Sequence, residues 1–141
     1  MQARNTGDLE QALSACEQVE QYLEDNSEHL QELPLSKHLA KLMEERGLTK
    51  SHVIAASNLN DIYAYQIFSG TRAPSRDKLL CLCFGMGLSA EETQNLLKWC
   101  GYPVLYAKKR RDSVILHALY HNASLMECNE QLYNMDEELL N

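Results

Sequence analysis

Apolar residues recur at helical spacing along almost the whole chain, and no segment alternates convincingly for more than four residues. From Asp8 to Gln31, Leu9, Leu13, Cys16, Val19, Leu23 and Leu30 form a narrow stripe on an otherwise acidic stretch. That pattern predicts an amphipathic helix, which Leu33-Pro34 ends because a residue before proline avoids helical angles. A second helix is expected from Ser36 to Gly47, with Leu39, Leu42 and Met43 inward. Thr49 then caps a short helix, KSHVIAAS, with Val53 and Ala56 inward, and Asn58-Leu59-Asn60 makes a tight turn. Asn60 caps DIYAYQIFS, which stops at Gly70, and Ser75 caps RDKLLCLCFGMG.

Two later helices open with the same device. Ser89 with Glu92, and Ser124 with Glu127, place a hydroxyl and a carboxylate in capping-box spacing. Between them RDSVILHALYHN offers Val114, Ile115, Ala118 and Leu119 as an apolar face. The fold class is therefore all-α. Three regions are expected: an acidic helix over 1–33, a central domain over 34–88, and a helical extension over 89–141 packed on it.

The central region also carries a specific constellation. Two short helices, about 50–57 and 61–69, are joined by a three-residue turn and flanked by a helix on each side, which is the helix-turn-helix arrangement. Leu42, Arg46, Gly47, Leu48, Thr49, Val53, Leu59, Ile67, Gly70, Arg72, Pro74, Ser75, Leu79 and Leu80 fall at matching positions. The run FSGTRAPS is the closest part of the match. On these residues, stretch 35–88 resembles the lambda-repressor-like, or Xre-type, DNA-binding domain; neither flank is covered.

The resemblance implies a bundle whose second short helix enters the DNA major groove. Carried over position by position, it implies phosphate contacts from Lys50, Ser51, Thr71 and Arg72. It implies base-edge contacts from Asn60, Asp61, Tyr63, Tyr65 and Gln66. Three departures stand out. The family's glutamine at the start of the first short helix is Lys50, which can clamp phosphate or guanine but cannot make the two-point adenine contact of an amide. The recognition helix has no Lys or Arg and begins with Asp61. Phe68 replaces the usual glutamate and is expected to pack inward.

Charge qualifies this picture. The chain has 141 residues and a formal net charge of −7. Its first 33 residues hold one base and eight acids, residues 34–112 hold twelve bases and seven acids, and residues 113–141 hold five acids and no Lys or Arg. A basic middle thus lies between two acidic ends. The acidic N-terminal helix could fold back on that middle and lower its affinity for DNA. The densest run, Lys108-Lys109-Arg110-Arg111, is a candidate auxiliary phosphate clamp or a solvated helix start.

The remaining chemistry is sparse. Five scattered cysteines without C-x-x-C spacing read as reduced thiols of a cytoplasmic protein. His117 and His121 share a helical face, but neither an H-E-x-x-H pattern nor a third ligand accompanies them. No nucleophile motif or phosphate-binding loop occurs, so neither an enzyme nor a metal or other cofactor is expected. No apolar run approaches a membrane span.

The leading expectation is a cytoplasmic transcription regulator that binds double-stranded DNA as a homodimer. Leu125, Leu132, Leu139 or the 9–30 stripe would supply the dimer contacts. The rival is a protein-interaction adaptor that keeps the helix-turn-helix fold, supported by the acidic ends and Asp61.

Overall fold

The computed structural model describes residues 6–15, 18–20 and 33–141. Among them the chain forms eight helices and no strand: α1 (Thr6–Ala15), α2 (Leu35–Arg46), α3 (Lys50–Ser57), α4 (Asp61–Ser69), α5 (Arg76–Met86), α6 (Ala90–Trp99), α7 (Arg110–Tyr120) and α8 (Leu125–Asn134). The fold is all-helical. α1 lies within the expected acidic helix; the positions of Cys16, Leu23 and Leu30 in that stripe fall outside the described residues.

Local chemistry fixes most boundaries. The side chains of Thr49, Asn60 and Ser75 each accept a backbone N–H from the first turn of the helix that follows. Ser89–Glu92 and Ser124–Glu127 both close reciprocal capping boxes. The hydrogen bonds from the Ser124 backbone and hydroxyl hold the Glu127 carboxyl below its ordinary pKa. Two starts come one residue earlier than the pattern predicts: α2 begins at Leu35 behind Pro34, and α7 begins at Arg110.

α5 is the hub. Every residue from Leu79 to Met86 is buried, so it is covered on all sides by the other helices. It crosses α3 so closely that a Cβ on Gly85 would stand 2.0 Å from the Ser57 hydroxyl and 2.7 Å from the Val53 carbonyl oxygen. That crossing corrects one expectation. Ser57, not Ala56, faces inward beside Val53 and Ile54, and its buried hydroxyl donates to the Val53 carbonyl at 2.6 Å. Ala56 is exposed.

One buried apolar cluster runs from Leu39 in α2 to Leu140 near the C-terminus. The interior therefore continues across 88/89. Polar contacts reinforce the junction. Arg76 at the start of α5 makes two hydrogen bonds to the Asp112 carboxylate of α7, at 2.8 and 3.1 Å. The same guanidinium donates to the carbonyls of Pro103 and Val104. Gln94 bridges both backbone groups of Leu105 at 2.7 Å, and the Tyr102 hydroxyl donates to the Pro74 carbonyl.

Two of the leucines offered for dimer contacts are spent inside the chain. Leu125 is 5% exposed and Leu132 fully buried, because both fill this chain's own core against α5 and α7. Leu139 stays partly exposed, whereas Leu140 is buried and its backbone is held by the Asn129 amide at 2.8 and 3.1 Å.

Candidate nucleic-acid interface

The turn between α3 and α4 sets how α4 is presented. Asn58 ends α3 in the left-handed region (φ 54°), a conformation asparagine tolerates better than most residues. Leu59 then plugs into the core, and the Asn60 side-chain oxygen accepts the Tyr63 N–H at 3.2 Å. α4 consequently buries Ala64, Ile67 and Phe68, as expected for Phe68, and turns the opposite edge outward. Asp61, Ile62 and Tyr65 are exposed on that edge, with Gln66 and Tyr63 half-buried on its flanks. Asp61 sits in the first turn, where the helix dipole favours a carboxylate.

The candidate phosphate-binding residues border the same helix. Lys50 and Ser51 are exposed in the first turn of α3, with the Lys50 ammonium 5.8 Å from the Phe68 ring centroid. At the other end, the backbone N–H groups of Thr71 and Arg72 both donate to the Gln66 carbonyl, at 2.9 and 3.2 Å, folding the exit loop against α4. The Thr71 and Ser69 hydroxyls lie 2.8 Å apart. Arg72 Nε donates to the Gln66 side-chain oxygen at 2.9 Å, leaving its terminal nitrogens for another acceptor.

The structure thus gathers Tyr63, Gln66 and Arg72 into one cluster. It adds Lys78 from the first turn of α5, which no local sequence signal places there. The Arg72 guanidinium and the Lys78 ammonium lie 5.3 and 5.4 Å from the Tyr63 ring centroid, within cation–π range. Tyr63 is therefore a platform that holds two cations beside the exposed edge of α4. Asn60 has one lone pair of its side-chain oxygen engaged in capping, and its amide N–H2 makes no hydrogen bond among the described residues. Ile62 lies two residues from the inward Ala64 and so projects to the opposite side, a position the helical spacing alone could have signalled.

The basic run of α7 is built differently. Lys108 and Lys109 are exposed. Arg110 donates to the Met135 carbonyl at 3.1 Å and lies 3.6 Å from the Glu137 carboxylate. Arg111 makes a two-point pair with Asp77 of α5, at 2.9 and 3.1 Å, and donates to the Glu138 and Leu139 carbonyls. These hydrogen bonds to Asp77 raise the Arg111 pKa above its already high ordinary value. Both arginines are thus a clasp for the C-terminal segment, set beside the first turn of α5.

No protein-family model, curated protein or solved structure matches the chain significantly.

Other candidate chemistry is quiet. Burial pushes the thiols of Cys81, Cys100 and Cys128 up to about 11 and that of Cys83 to about 12, so they stay protonated at neutral pH. Cys16 lies outside the described residues. The His117 and His121 rings stack 4.1 Å apart, and no cluster of three metal-ligating side chains occurs among the described residues. None of the described helices is long and apolar enough to cross a membrane.

Proposed function

We propose that the chain is a sequence-specific, double-stranded DNA-binding transcriptional regulator of the Xre type. It lays the outer edge of α4 in the major groove and acts as a homodimer on paired half-sites. The carrying observation is that this edge is exposed while cations stand on both sides of it: Lys50 at the start of α3, and Arg72 with Lys78 against Tyr63. None of those three cations is paired with a carboxylate among the described residues, unlike Arg76 and Arg111. Phosphates flanking the groove would meet them, and Asp61, Tyr65 and Gln66 would meet base edges.

The test is a binding titration of the full chain against a randomised duplex pool and then against any enriched duplex over a salt series. A regulator enriches a defined sequence, and log K falls linearly with log salt, with a slope set by the phosphates neutralised. A flat salt response without enrichment rejects the reading.

One observation favours the second reading, a protein-interaction adaptor on the same fold. Ile62 is 71% and Tyr65 47% exposed, side by side, and Asp61 adjoins them. Such an edge also suits an apolar partner protein. Mixing experiments with the same duplex pool discriminate the two, because an adaptor does not retain duplex.

A further inference from the structure

α4 exposes an isoleucine where a groove-facing helix ordinarily carries polar side chains. Ile62 and Tyr65 lie three residues apart and so form one strip on the helix surface. Nothing in the described chain covers them. Their surroundings are cationic at both ends, through Lys50 on one side and the Arg72–Lys78 pair on Tyr63 on the other. Asp61 is the single carboxylate within α4. An apolar strip bordered by cations complements a polyanion that displays apolar groups inside its groove. Duplex DNA does so through the 5-methyl groups of thymine, which only the major groove exposes.

The adjacent amide narrows the recognition further. A guanidinium nitrogen can only donate, so the 2.9 Å bond from Arg72 Nε fixes Gln66 with its oxygen toward Arg72 and its amide N–H2 group away. An amide held that way turns its two N–H protons away from Arg72, while the guanidinium takes one lone pair of its oxygen. The two-point contact of glutamine with adenine needs one donor and one acceptor, whereas guanine offers two acceptors, N7 and O6.

Resting on the DNA reading above, we propose that α4 selects thymine through methyl contacts with Ile62 and Tyr65, and guanine through the Gln66 amide N–H2 group oriented by Arg72. Ile62, Tyr65 and Gln66 are then the specificity determinants, and Arg72 is a positioning residue for Gln66 as well as a phosphate contact.

The test starts from the duplex that the full chain enriches from a randomised pool. That duplex is rebuilt with deoxyuridine at each thymine in turn and with 7-deazaguanine at each guanine in turn. Removing the methyl at one or two thymines is expected to weaken binding about fourfold, the effect of one buried methyl-sized group. At the thymine whose methyl Ile62 meets, Ile62→Ala should bind the thymine and uracil duplexes equally, with an unchanged thermal midpoint because the site is exposed. One guanine should lose about fivefold on 7-deaza substitution, and Gln66→Ala should erase that loss. Specific binding indifferent to every thymine methyl, or adenine selected at the position Gln66→Ala relaxes, overturns the proposal while leaving the DNA reading intact. Failure of the pool to yield any enriched duplex overturns both.

Discussion

The two basic regions of this chain differ in what their charges face. Around α4, Lys50, Arg72 and Lys78 lean on aromatic rings and a neutral amide, and no carboxylate among the described residues neutralises them. Around α7, the run that is densest in the sequence has half its members engaged by groups of the chain itself. Arg111 is locked to Asp77, and Arg110 is committed to the C-terminal segment. Arg76 shows the same behaviour toward Asp112. A count of basic residues would rank the second region above the first, yet pairing reverses the order. Cations over aromatic faces remain available to an external anion, whereas a two-point guanidinium–carboxylate pair has its geometry satisfied within the chain.

The largest effect should come from breaking the inward type of pair. Asp112 is 3% exposed and accepts from Arg76 twice and from the Tyr106 N–H. Burial alone would raise its pKa, but the Arg76 and Tyr106 hydrogen bonds prevail and hold it below the ordinary value. Asp112→Ala leaves the Arg76 guanidinium without its partner and should cost about 3–5 kcal/mol in chemical denaturation. A loss under about 1 kcal/mol would mean that the pair does not join the two halves. Next in size is Gly85→Ala. The new methyl would overlap Ser57 and, less negotiably, the Val53 backbone oxygen, so α3 must move off α5 at a cost of about 2–3 kcal/mol. Ser57→Ala combined with it should recover part of that loss; full additivity would show that the side-chain clash is not involved.

Much of the fold was legible because its signals are local. Thr49, Asn60, Ser75, Ser89 and Ser124 each cap the helix that begins at the next residue, and capping needs only the first turn. The three-residue turn between two capped helices is local as well, so the ranges of α3 and α4 could be read directly. What escaped depends on contacts distant in sequence. Ala56 and Ser57 are equally small, and only the passage of α5 at Gly85 decides which is buried. Leu125 and Leu132 present a good apolar stripe, but nothing nearby says whether it meets this chain's core or a second copy. The roles of Arg110 and Arg111 were invisible for the same reason: their partners lie more than twenty residues away. In the candidate interface, the cap chemistry of Asn60 was legible and its engaged oxygen follows from it. The union of Tyr63, Gln66, Arg72 and Lys78 required the exit loop to be folded.

A paired experiment sharpens the comparison at intermediate size. Arg111→Ala removes the clasp and should lower stability by about 1–2 kcal/mol, with faster proteolysis in residues 135–141. Its effect on duplex binding should be small. Arg72→Ala should do the reverse: stability stays within about 0.5 kcal/mol, while affinity falls on every sequence and the salt slope drops by about one. Equal binding losses from both variants would erase the distinction between the two regions.

The smallest effect is a pH dependence that belongs to neither basic region. His38 of α2 stacks on Trp99 with ring centroids 5.6 Å apart, and its Nε2 is buried without a hydrogen-bond partner among the described residues. Burial, and secondarily the Lys41 charge, lower its pKa from the ordinary 6.5. The folded state therefore binds fewer protons than the unfolded one between the lowered value and 6.5. Stability from this group is complete above that pH and declines as the pH falls through it, levelling off below the folded-state pKa. Denaturation midpoints measured from pH 8 to 5 should show a shallow decline that His38→Gln abolishes, smaller than the Arg111→Ala loss. Duplex affinity corrected for the folded fraction should not follow the same curve. Parallel curves would tie His38 to the candidate interface and blur the separation between interior and exposed charge.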